Sequence, residues 1–272
     1  MYNYSHKCAA EQGPAFLAPV LIRRGRKPMG LLQSITASEF WQKHIYLNFI
    51  AEDRWKYLTD GLQNTILITI GALIIGIVLG AMVSVVRVTH DKAGKPGIGL
   101  GLVNLVCKVY LTVIRGTPVV VQLLIMWFVV FASAKSDQKL MVAIIAFGIN
   151  SGAYVAEIFR SGIMSVDPGQ MEAGRSLGLS YGQVMLRIIM PQAVKIILPT
   201  LINEFIALVK ETAVAGYIAL GDLTRGGDQI RSQTYDAFPP LLAVAAIYLV
   251  VVMLLEKLGR TVERRLAQSD RS

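Results

Sequence analysis

Cysteine and histidine are scarce in this chain. Its two cysteines, Cys8 and Cys107, lie far apart, and His6, His44 and His90 show no metal-ligand spacing. A disulfide framework and a metal site are both unsupported. The histidines also fall in the amino-terminal third, outside the apolar spans, so no Ser/His/Asp or Cys/His set is suggested and the chain reads as a non-enzyme. No Gly-x4-Gly-Lys-Ser/Thr loop occurs, which excludes ATP binding by that route. Charge is sparse as well: 17% of residues are Asp, Glu, Lys or Arg, against 54% hydrophobic, too few to clothe a soluble surface of 272 residues. The charged residues are segregated and leave long uncharged windows, the pattern of a polypeptide whose solvent is lipid.

The formal net charge of +9 raises the question of nucleic acid. The placement of the basic residues answers it. Arg87, Lys92 and Lys95, and later Lys257, Arg260, Arg264 and Arg265, flank apolar spans, as the loops that orient a membrane protein do, so no nucleic-acid partner is expected.

Along the chain, residues 1–57 read as a polar, partly disordered extension, because the apolar run at 15–22 is far shorter than the roughly 20 residues a span requires. Four further apolar segments, at 118–133, 139–164, 182–210 and 239–258, join a first crossing at 61–87. Gly71, Gly76 and Gly80 in the first crossing stand at about helical spacing and suit a close helix–helix contact. Residues 102–115, with Lys108 and Arg115 in an apolar frame, read as an amphipathic helix on the cytoplasmic face, with Pro118 opening the second crossing. Asp167-Pro168-Gly169 starts a short helix at about 169–179, ended by Gly178. Pro191 and Pro199 are expected to kink or break the fourth crossing. A basic loop after the first crossing and the basic residues Lys257, Arg260, Arg264 and Arg265 after the last, followed by a cytoplasmic tail at 266–272, give five crossings with the amino terminus outside and the carboxyl terminus cytoplasmic.

Several side chains are costly where they stand. Glu204 is a lone carboxylate in an apolar helix; it either faces a cavity, where it would grip an ammonium group, or pairs with Lys210 or a distant arginine. Glu157 and Arg160, three residues apart, form either a local ion pair or, with Arg115, part of a gate. Thr117, Gln122 and Tyr154 are polar at depth and serve either the pathway or helix packing.

Glu172-Ala173-Gly174, three residues, Gly178, nine residues, then Ile188-Ile189-Met190-Pro191 resembles the EAA signature of bacterial ABC-importer permeases, with Gly174 for an alanine and Met190 for a leucine. Arg115-Gly116-Thr117-Pro118, the stretch from Ala153 to Arg160, Pro191-Gln192-Ala193 and Asn203-Glu204-Phe205-Ile206 resemble the polar amino acid branch, the histidine/glutamine/arginine/opine permeases. The resemblance implies an all-α membrane protein of the type I importer permease fold, five transmembrane helices with a cytoplasmic coupling helix, in the bacterial cytoplasmic membrane. It also implies that Glu172, Ala173, Gly174, Arg175 and Gly178 couple to an ATPase subunit dimer that binds ATP-Mg, this chain holding no cofactor. A second permease copy or a similar subunit, an extracytoplasmic solute-binding protein and an amino acid substrate complete the implied assembly. An ion-coupled secondary transporter is the rival reading, but it calls for internal repeats framing a midplane site, and none is visible.

Overall fold

The computed structural model describes residues 37–268, all helix and connecting turns with no strand among them. In chain order the elements are α1 (Trp41–Ile50), α2 (Trp55–Lys92), α3 (Ile98–Gly116), α4 (Val119–Val130), α5 (Lys139–Met164), α6 (Pro168–Ser176), α7 (Tyr181–Ile218), α8 (Leu223–Thr234) and α9 (Phe238–Gln268). Five of these helices are long and apolar enough to cross a membrane: α2, α3, α5, α7 and α9.

The bundle is built around α2 and α5, which lie side by side and run the same way. A Cβ on Gly71 would come within 2.8 Å of Ile144, one on Gly76 within 2.9 Å of Ser151 and one on Gly80 within 2.6 Å of Val155. Gly148 and Gly152 of α5 return the fit against Ile75 and Leu79. Lipid gives helices no hydrophobic reason to associate, so small residues that admit a close dispersion contact do the work. The glycine spacing of the first crossing had pointed to this seam.

Because α2 and α5 are parallel, the chain between them must travel back, and that return corrects the expected bounds of the second crossing. Asn104 of α3 accepts from Arg87 at 2.9 Å, and the Tyr110 hydroxyl donates to Ile149 O at 2.6 Å. Leu123 of α4 then packs with Ile68 and Phe147. The return is therefore shared by α3 and α4, broken at Gly116-Thr117-Pro118. Residues 118–133 provide only its second part, and 102–115 do not lie apart as a surface helix. Lys108 and Arg115 had counted against a crossing there, yet both are exposed at the margin of the bundle rather than within it.

The proline-bearing helix is less interrupted than expected. A π-helical turn at Met185–Ile189 precedes Pro191, while Pro199 lies inside the continuous stretch Met190–Glu211. The first 36 residues of the expected amino-terminal extension lie outside the described residues, but 37–50 are helical. Asn48, fully buried, donates to Asp236 at 3.2 Å and accepts from Thr234 at 2.8 Å, and His44 meets the same Asp236 oxygen at 2.9 Å.

At the α8 end of the bundle, Leu58, Leu223, Ile230 and Val244 form a small core. Asp222 caps α8, accepting from Thr224 N at 2.9 Å, and Asn64 donates to Gly221 O at 2.7 Å. Asp222 is fully buried and its Oδ1 has no hydrogen-bond partner. Desolvation outweighs the hydrogen bonds from Thr224 and Arg225 and pushes its pKa up to about 6.

Candidate coupling helix and translocation site

The turn between α5 and α7 is fixed at both ends by short-range bonds. Asp167 caps α6, its Oδ1 accepting from Gly169 N at 2.8 Å, and Pro168 occupies the first turn, where no amide donor is needed. At the other end Leu177 N, Gly178 N and Leu179 N donate to Ala173 O, Arg175 O and Gly174 O at 3.1, 3.0 and 3.2 Å. Gly178 has φ +85°, a left-handed conformation that glycine adopts without a Cβ penalty. Arg175 donates to Leu179 O at 3.0 Å, and Ser180 starts α7 with a capping box to Gln183.

These bonds give α6 two faces. Gly174 is buried against the start of α7, where a Cβ would lie 2.8 Å from Val184 and 3.1 Å from Ile188. The glycine that departs from the signature alanine thus permits a tighter seat. Glu172, Ala173, Arg175 and Leu177 are exposed, Leu177 by 82%. Sequence reasoning passed over Leu177; a leucine directly before a helix-ending glycine was the available signal.

Near the α6 end, Arg160 joins Glu157 at 2.6 Å and Asp91 of α2 at 3.4 Å. The Arg115 guanidinium stands 3.9 Å from Glu157 and 5.7 Å from the centre of the Tyr154 ring. The pair expected from the spacing of Glu157 and Arg160 is thus one side of a four-residue network that ties α2, α3 and α5. Asp91, at the end of α2, was not foreseen.

A second polar cluster lies at the break between α3 and α4. Thr117 donates to Val113 O at 2.8 Å. The Gln122 amide donates to Ile114 O at 2.7 Å and to Thr117 Oγ1 at 2.8 Å, and its Oε1 accepts from Asn150 at 2.9 Å. Carbonyls freed by Pro118 are satisfied in this way, so Thr117 and Gln122 are engaged by the backbone they interrupt. The next residue of α5, Ser151, donates to Glu204 of α7 at 3.0 Å. Neither Lys210 nor an arginine pairs with Glu204 among the described residues, which removes the expected ion-pair alternative. Tyr154 belongs with Arg115 instead. Asn150 and Ser151, consecutive polar residues in an apolar helix, carried the signal for this cluster.

The model of the family described as "Binding-protein-dependent transport system inner membrane component" matches residues 99–268, well over half of the chain. The chain belongs to this family. The "Arginine transport system permease protein ArtQ" of Bacillus subtilis is 38% identical over 216 residues, 79% of this chain and 94% of that protein. The "Putative glutamine transport system permease protein GlnP" of Rickettsia conorii is 33% identical, covering 77% and 93%. A solved structure described as an amino acid ABC transporter with histidines superposes with a TM-score of 0.70 at 40% identity, covering 78% of this chain and 94% of that one. The MetNI methionine ABC transporter, at 20% identity and a TM-score of 0.67, is alike in fold.

The permease is thus the membrane-spanning subunit of an ABC importer with the type I fold, rather than the catalytic subunit. Within the permease, the seat of Gly174 and the network around Glu157 lie at one end of the bundle, with the Ser151–Glu204 contact farther along the same α5 and α7.

Proposed function

We propose that this permease carries an amino acid through a passage flanked by α3, α4, α5 and α7, with Glu204 receiving the ammonium group. The observation that carries this reading is the Glu204 carboxylate, held among the described residues by Ser151 alone, at 3.0 Å, beside a broken helix. An ionisable group inside a membrane bundle that lacks a counter-charge suits a cationic cargo group, and discontinuous helices commonly build such sites. The cargo class is supported by the arginine and glutamine systems of the relatives.

In this reading α6 docks in a groove of an ATPase subunit that binds ATP-Mg, presenting Glu172, Ala173, Arg175 and Leu177, while Gly174 and Gly178 hold the helix against α7. The network of Arg115, Glu157, Arg160 and Asp91 closes the α6 end of the passage. Two permeases assemble, as two copies or with a similar subunit, and a solute-binding protein meets the α8 end outside the cell. The basic segments then place the amino terminus outside and the carboxyl terminus in the cytoplasm.

The test is ATP-driven uptake by the reconstituted transporter. Loss of uptake in a Glu172→Lys, Gly178→Asp double variant that still assembles supports coupling through α6. Uptake that persists in that variant, or in the wild type without ATP, defeats it.

A further inference from the structure

Between α2, α5 and α7, near the α6 end, lies a groove of about 530 Å³ that the transport reading leaves unused. Its walls include Val85 and Val88 of α2, Phe159 and Ile163 of α5, and Met185 and Leu198 of α7. Ser84 in its floor spends its hydroxyl on Ala81 O at 2.9 Å, so the interior offers almost nothing polar. A water-filled or cargo-binding cavity would need polar partners, and this one lacks them.

The rim indicates what fills the groove. Val85, Leu186, Val194 and Tyr181 are 62%, 72%, 44% and 44% exposed, so the groove opens sideways from the bundle between α2 and α7. From Ala81 to Thr89 its α2 wall runs about 12 Å at 1.5 Å per residue, close to the roughly 15 Å of one leaflet of hydrocarbon. Lys92 continues the helical stripe of Val85, Val88 and Thr89 beyond the open end, and Arg187 follows Leu186. Both cations are exposed and form no ion pair among the described residues, whereas the nearby Asp91 is engaged by Arg160.

We propose that this groove holds one acyl chain of an anionic phospholipid, whose phosphate sits at Lys92 and Arg187. Dispersion with a dry wall fixes the chain, and the two exposed cations select the headgroup. The site is independent of where the cargo binds.

The assembled transporter in nanodiscs of equal phosphatidylglycerol and phosphatidylcholine tests it. After transfer to mild detergent, mass spectrometry should find phosphatidylglycerol retained with the wild type, and Lys92→Glu should lower its preference over phosphatidylcholine about five-fold. Val194→Trp, which fills the groove, should release the retained lipid while the ATPase subunit still copurifies. Phosphatidylglycerol with a photoreactive acyl chain should label the wild type at residues 81–89 and 181–198. Equal retention of the two lipids, or labelling spread over the exposed faces of α3 and α9, would overturn the proposal. A disulfide between two permease copies through Leu186→Cys would overturn it too, because a second copy would then fill the groove.

Discussion

Substitution of Gly178 isolates backbone conformation from packing. At φ +85° a residue with a Cβ is strained, but a Cβ built there meets no atom within 4 Å. The cost of Gly178→Ala is therefore conformational alone, about 1–2 kcal/mol, or roughly 5- to 30-fold in the population of the turn. Asparagine tolerates this region better, so Gly178→Asn should cost less. Three amide bonds, from Leu177, Gly178 and Leu179, hold the turn, and in the proposed coupling the docking of α6 requires them formed. Cargo-stimulated ATP hydrolysis, titrated against ATPase subunit, should show apparent affinity falling by up to that factor for alanine and by less for asparagine. Maximal turnover should recover at high subunit concentration. If alanine matches glycine, or asparagine proves worse than alanine, the turn is not what presents α6.

Gly174→Ala adds helix propensity worth about 1 kcal/mol, but drives a Cβ to 2.8 Å from the buried, rigid Val184; uptake per ATP hydrolysed should fall, and Gly174→Val should abolish it while hydrolysis continues. Glu204→Gln retains the bond to Ser151 yet removes the charge; uptake affinity should weaken about 10- to 100-fold with assembly intact, and unchanged uptake kinetics return Glu204 to a structural role. Asp222 has a folded pKa near 6, above its ordinary 3.8, so the folded state holds the proton longer and stability falls as pH rises between those values. Thermal unfolding in detergent should show a loss of about 3 kcal/mol from acid to neutral pH that Asp222→Asn, still a good helix cap, removes; an unchanged pH profile in that variant refutes the assignment.

The features legible in the sequence are those encoded by spacing along one helix or turn. The seam of Gly71, Gly76 and Gly80, the Glu157–Arg160 pair and the turn at Gly178 all follow from local periodicity and backbone chemistry. The return crossing was misjudged because Arg115 looked like a charge to be kept out of lipid. Its partner Glu157 lies 42 positions later in the chain, and no local pattern reveals that two such groups come within 3.9 Å. The amino-terminal segment was read as loose for the same reason: the Asp236 that holds Asn48 stands 188 residues away. Long-range partners decide which costly residues are satisfied, and a single sequence shows only the cost.

Connectivity gives α6 a direct hold on the Glu204 contact. The helix follows α5 after a three-residue turn and leads into α7 through the cap at Ser180, so both helices that share the Ser151–Glu204 bond start from it. Those two helices are antiparallel, and Gly162 packs against Ile197 between α6 and that bond. From Gly162 to Ser151 is about 16 Å along α5, and from Ile197 to Glu204 about 10 Å along α7. With no side chain at Gly162, the crossing is close enough to act as a pivot. In the proposed coupling, a tilt of α6 that spreads the near ends of α5 and α7 would change the separation beyond the pivot, where Ser151 meets Glu204. A carboxylate released from Ser151 by that motion would, in the proposed reading, become available to a cationic cargo, and one returned to it would give the cargo up. Such an arrangement needs no contact between the ATPase and the passage; it needs a short helix capped at both ends, a close crossing and a hydrogen bond that can part, and the structure has each of these parts.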